Sequence, residues 1–174
     1  MEEIVEAIKE KFIEYFGKKK WNQEELLEKV FKYQLDICNL LNIEIIPIVF
    51  EDGIEDDSRL YLKERYIALS DKINTPLEAI KCIAHECKHI EQLIRASAPS
   101  TKQEHRWKKC FDNLFNVNDY SNIDELSKYA IQETEIDAYA FTQFYIKERL
   151  GINTVYPNKE YQMIIDRYKE KYYE

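Results

Sequence analysis

Apolar residues recur at helical spacing along most of the chain. In residues 3–16 the positions Ile4, Ile8, Phe12 and Phe16 share one side, and Gly17 stops the run. After a basic turn, Lys18-Lys19-Lys20, the stretch from Asn22 to Glu25 is a capping-box pattern. It opens a second helix to about Leu41, with Leu27, Val30, Phe31, Gln34, Cys38 and Leu41 on its inward face. The pattern then changes. Residues 43–50 are β-rich, and Pro47 places them at a sheet edge or strand end. Residues 51–57 form an acidic loop around Gly53 that matches no EF-hand and reads as a solvated turn. Residues 61–70 read as a second strand, ending Tyr66-Ile67-Ala68-Leu69-Ser70.

A long helix follows. Thr75 is the expected N-cap, Pro76 takes the first helical position, and Glu78 completes a capping box. Ile80, Ile83, Cys87, Ile90 and Ile94 fall on one narrow stripe, with His85, His89, Glu78, Cys82 and Gln92 nearly opposite. Residues 96–100 read as a loop, and 102–115 as a helix carrying His105, Arg106 and Trp107. Residues 116–122 are polar and loop-like. From Ser121 the chain is helical again, in one or two pieces, to Leu150, where Gly151 caps it. Residues 157–172 form a last amphipathic helix with Tyr161, Ile164, Ile165 and Tyr168 inward. The fold class is therefore α+β, mostly helical with a small sheet.

Composition narrows this further. At 174 residues the chain suits one domain, 1–174, with a proper core. Three Gly and four Pro favour long helices over elaborate loops. A net charge of -8 speaks against a general nucleic-acid surface and against an anionic membrane surface. The acidic start, Met1-Glu2-Glu3, has no apolar region of a signal peptide, and no run is long enough to span a membrane. Cys38, Cys82, Cys87 and Cys110 show no disulfide-framework spacing, so reduced thiols and a cytoplasmic location are expected. Cys87 reads as a small core residue.

The chemistry lies in 80–94, which contains His85-Glu86-x-x-His89. Two histidines four apart on a helix project about 40° apart, so both imidazoles can reach one tetrahedral metal ion. The Glu between them can take a proton from a water that the metal polarises. A third ligand is required. His105, between cationic neighbours Arg106 and Lys108, reads as a surface or lid histidine. The segment 129–141 is the better source. On a helix, Glu133, Ile136, Asp137, Ala140 and Phe144 share one face, and Glu135 points the other way. Two carboxylates on an inward face are costly unless paired. Glu133 is therefore the expected metal ligand, and Asp137, one turn on, would accept the N–H of a ligand histidine.

His85-Glu86-x-x-His89 followed by Glu133-x-x-x-Asp137 resembles the gluzincin pattern of zinc metallopeptidases. The run from Glu133 to Ala140 also resembles the second motif of small bacterial ImmA/IrrE-type proteins. The resemblance covers 61–150. Lys88 stands where that family usually has Gly or Ala, and Ile136 where it usually has Ala. The resemblance implies a zincin-like domain: a small twisted antiparallel or mixed sheet packed on two helices, with one zinc ion between them. Within it, 1–58 would be N-terminal helices and first strand, 59–150 the catalytic core and 151–174 a C-terminal helix. It also implies peptide-bond hydrolysis with Glu86 as general base, on a protein or peptide substrate. Tyr129, Tyr139, His105 and Arg106 are candidate oxyanion donors.

Three alternatives stay open. A binding or regulatory protein could use a non-catalytic zincin scaffold, although the intact Glu86 favours an enzyme. A deformylase also uses this motif, but takes a Cys ligand from an upstream context that Cys38 and Cys82 lack. Iron, manganese or cobalt could fill a His/His/Glu site as zinc does. The terminal helices would complete the core, or one of them would cover the cleft.

Overall fold

The structure is a computed structural model that describes residues 21–114 and 132–173. The expected helix at 3–16, the loop at 116–122 and Tyr129 lie outside the described residues. The chain divides into two compact units, Met1–Glu86 and Cys87–Glu174. The fold is α+β: five helices and a small mixed sheet among the described residues. No helix among them is long and apolar enough to cross a membrane.

In the first unit, helix α1 spans Gln23–Leu41. Asn22 Oδ1 accepts from Glu25 N at 2.8 Å, and Glu25 returns a weaker bond to Asn22 N at 3.4 Å, so the capping box is complete. The buried face is Leu26, Val30, Gln34, Ile37 and Cys38. This is rotated from the expected face, and Phe31 is 50% exposed. Two apolar ridges run side by side here, through Leu26 and Leu27, and the chain buries the first. Asn42 ends the helix in the left-handed region at φ 52°.

Three strands follow: β1 Ile48–Glu51, β2 Ser58–Tyr61 and β3 Tyr66–Ser70. Their order is β1-β3-β2, with β1 parallel and β2 antiparallel to β3. β3 is central, and its run Ile67-Ala68-Leu69-Ser70 is buried throughout, as a two-sided strand requires. β1 starts just after Pro47, at the sheet edge. The expected single strand over 61–70 is instead a hairpin. Arg65, at φ 60°, closes its turn, donating from N to the Tyr61 carbonyl at 2.8 Å. A charged turn without Gly or Pro hid this reversal.

Helix α2 spans Pro76–Ser97, and the division between the units falls inside it. Thr75 caps it, accepting from Glu78 N at 3.3 Å. Glu78 reaches Asn74 N rather than the cap residue's own N–H. Ile80, Ile83 and Cys87 are fully buried and Ile90 nearly so, as the stripe predicts. Ile94 departs from it and is 55% exposed.

The second unit continues with α3 Lys102–Leu114, α4 Glu133–Leu150, α5 Lys159–Lys169 and a 3₁₀ turn Glu170–Tyr172. Trp107 of α3 packs with Leu93, Ala96 and Phe111. Ile165 of α5 packs on Ile136 and Ala140 of α4, with Tyr139, Tyr156, Ile164 and Tyr168 around them. Gly151, at φ 70°, caps α4 and donates to the Lys147 carbonyl at 2.9 Å. Helix α4 has no single inward face. Thr134, Glu135, Ile136, Asp137 and Ala138 are all buried, which covers more than a full turn.

Candidate metal centre

Helix α2 presents His85 and His89 one turn apart. The ligand atoms of His85, His89 and Glu135 all lie within 4.8 Å of one another, so the group could hold a metal ion. His89 Nε2 and Glu135 Oε1 are 3.1 Å apart. Two donors on one tetrahedral ion, with bonds of about 2.1 Å, stand about 3.4 Å apart.

The hydrogen bonds around His89 test whether these atoms suit a cation. Gln92 is fully buried. Its Nε2 donates to the Thr134 carbonyl and to Asp137 Oδ2, each at 3.0 Å. Turned over, the amide would set its oxygen against two acceptors, so only one orientation is satisfied. Gln92 Oε1 therefore accepts from His89 Nδ1 at 3.0 Å. With the proton on Nδ1, Nε2 of a neutral ring is a lone pair, and it faces the Glu135 carboxylate. Two acceptors at that distance need a positive charge between them, either a proton or a metal ion. With the second histidine, the group is a donor set that could hold a metal ion.

The third member of the group is Glu135, where helical spacing points to Glu133. Glu133 is instead gripped by Arg106, whose Nε and Nη2 donate to its two oxygens at 2.6 and 2.9 Å. Helical spacing alone gives α4 one inward side, with Glu133 and Asp137 on it. A turn buried throughout, from Thr134 to Ala138, gives no such guide, and the bidentate pairing with Arg106 fixes Glu133 elsewhere. Asp137 stands near the site but one step further out than expected. It bonds Gln92, which in turn bonds His89.

Asp137 is completely buried. Burial alone would raise its carboxyl, but Lys88, and then Lys171 and Tyr172, hold it below the usual carboxylate value. Lys88 Nζ lies 3.6 Å from Asp137 Oδ2 and 2.6 Å from Glu91 Oε2. It also lies over the rings of Trp107, Phe141 and Tyr172, between 5.4 and 5.7 Å from their centroids. Lys171 Nζ and the Tyr172 hydroxyl both donate to Asp137 Oδ1.

In the first unit, Glu86 accepts from the Ser58 hydroxyl at 2.7 Å. Ser58 opens β2, an edge strand. The Cys82 thiol also bonds Ser58, and burial pushes it up to about 12, so it stays a neutral thiol near neutral pH. Neither Ser58 nor Gln92 stood out as a site residue in the sequence. Gln92 did share a helical side with the histidines, and that was its only signal.

Of the oxyanion candidates, His105 is exposed, Arg106 is engaged by Glu133, and Tyr139 packs edge-on against Tyr156 at 5.0 Å. All four cysteines are free thiols. Compared with known proteins, the chain matches no family model, no curated protein and no solved structure.

Proposed function

We propose that this protein is a zinc-dependent metallopeptidase that hydrolyses peptide bonds in a protein or peptide substrate. The observation that carries the reading is the His85, His89 and Glu135 group, with Glu86 following the first histidine in the helix. A zinc ion held by these three would supply Lewis acidity toward a water and the scissile carbonyl. Glu86 takes the proton of the attacking water and returns it to the leaving amine. Ser58 anchors Oε1 of Glu86, which leaves Oε2 for that proton. Gln92 keeps the proton of His89 on Nδ1, so Nε2 remains the ligating atom. An extended peptide adding to the edge strand β2 would run past Ser58 and Glu86. With Glu135 as third ligand, the gluzincin-like arrangement of two helical histidines and a later glutamate is kept.

The test is elemental analysis of the purified chain, followed by a peptide-library digest. About one zinc per chain, with cleavage lost in Glu86→Gln but zinc retained, is the expected outcome. Zinc without cleavage of any peptide would favour the non-catalytic scaffold. A chain that takes up no zinc would end the metallopeptidase reading.

A further inference from the structure

We propose that the turn Glu170–Tyr172 is a positioning element for the metal centre, acting on His89 through Asp137 and Gln92. The inference rests on the metal reading above. Four links build it, and all lie in the second unit. The Tyr172 hydroxyl and Lys171 Nζ donate to Asp137 Oδ1. Asp137 Oδ2 accepts from Gln92 Nε2. Gln92 Oε1 accepts from His89 Nδ1. His89 Nε2 faces Glu135.

Each link restricts the next. Gln92 and Asp137 are fully buried, so neither amide nor carboxylate has water to turn to. The amide has its two donors and its acceptor engaged and cannot rotate without losing all three. The carboxylate is oriented by donors on both oxygens, and those on Oδ1 come from the turn. Burial, then the charge of Asp137, pushes the Tyr172 phenol up, so it stays a donor. An oriented, charged acceptor polarises the amide, strengthens its hold on Nδ1–H and makes Nε2 a better ligand. Lys88 reaches the same carboxylate but is shared with Glu91, at the shorter distance. It cannot replace the two donors on Oδ1.

The turn also has anchors of its own. Tyr172 stacks on Phe144 at 5.3 Å and meets Phe141 edge-on at 5.7 Å. Removing only its hydroxyl therefore leaves the ring in place, which separates positioning from packing.

The experiment is a zinc titration of the full chain against a chromophoric chelator, for wild type, Tyr172→Phe, Lys171→Gln, Lys171→Arg and Tyr173→Phe. Tyr172→Phe and Lys171→Gln should each bind zinc about tenfold more weakly, the low end for outer partners of a metal ligand. Lys171→Arg should recover most of the loss, and Tyr173→Phe, outside the relay, should match wild type. A second readout needs no metal. The His89 Nδ1 proton, followed by NMR in the metal-free chain, should exchange faster with water in Tyr172→Phe. Equal zinc affinity and equal Nδ1 exchange in Tyr172→Phe and wild type would overturn the proposal and leave the metallopeptidase reading standing. A wild type that binds no zinc would remove both, and the wild-type titration tells the two failures apart.

Discussion

Helices α2 and α4 carry the candidate ligands and differ in how far an apolar stripe orders them. In α2 an apolar stripe through Ile80, Ile83 and Cys87 is fully buried and His85 opposite it is half-buried, although the residues from Glu86 to Gln92 are covered as well. In α4 the buried residues run without interruption from Thr134 to Ala138. A stripe fixes how a helix is turned about its axis, and so it fixes where its polar residues point. Helix α4 carries no such stripe, because its buried first turns mix Glu135 and Asp137 with Ile136 and Ala138. Its carboxylates are sorted by their partners: Glu133 by Arg106, Asp137 by Gln92 and two lysines, and Glu135 by His89.

The largest expected effect tests that sorting directly. Glu135→Ala should abolish stoichiometric zinc binding, while Glu133→Ala should keep about one ion per chain, measured by elemental analysis after dialysis. The reverse result would restore the assignment drawn from helical spacing. Next in size is Asp137→Ala, which leaves Lys88 and Lys171 buried or half-buried without their shared carboxylate. It should cost about 3–5 kcal/mol of stability by urea denaturation, the range for breaking a buried charge network. A loss below about 1 kcal/mol would mean the cluster is far wetter than its burial implies.

A third pair compares apolar positions. Ile136→Ala on α4 removes a side chain packed against Ile165 and should cost about 2–5 kcal/mol. Ile94→Ala at the end of the α2 stripe should stay within about 0.5 kcal/mol, because that side chain is already 55% exposed. Similar losses at both sites would show that the stripe extends further than the structure places it.

The smallest effect concerns pH. Glu104 is held down to about 2, first by the Ser100 backbone N–H, then by the Ser100 hydroxyl and Arg95. A depressed carboxyl stabilises the folded chain above its unfolded value, near 4.5. That contribution falls away as pH drops toward about 2. Urea midpoints of wild type and Glu104→Gln should therefore differ at neutral pH and converge in acid. A gap that stays constant across pH would assign the effect to shape rather than charge.

What could be read in the sequence follows the same division. The caps at Asn22, Thr75 and Gly151, the buried strand β3 and the paired histidines are local patterns, and each appears where spacing put it. Strand β2 was hidden because Ser58 and Arg59 lack apolar alternation. The Ser58 contact with Glu86 joins residues 28 apart in sequence, and Gln92 meets Asp137 across 45. Helical and strand periods say nothing about such distances. Nor can they choose between two glutamates two positions apart in a helix that buries a full turn from Thr134 to Ala138.

Trp107 is ringed by cations. The ring is 1% exposed and sits 5.4 Å from Lys88 Nζ, 5.4 Å from the Arg95 guanidinium and 5.9 Å from Lys171 Nζ. An indole in that position emits in the field of three cations, one of them carried by the turn Glu170–Tyr172. Its fluorescence is a built-in optical gauge: when the turn leaves Asp137, a charge leaves the ring, and the colour of the light changes without any label.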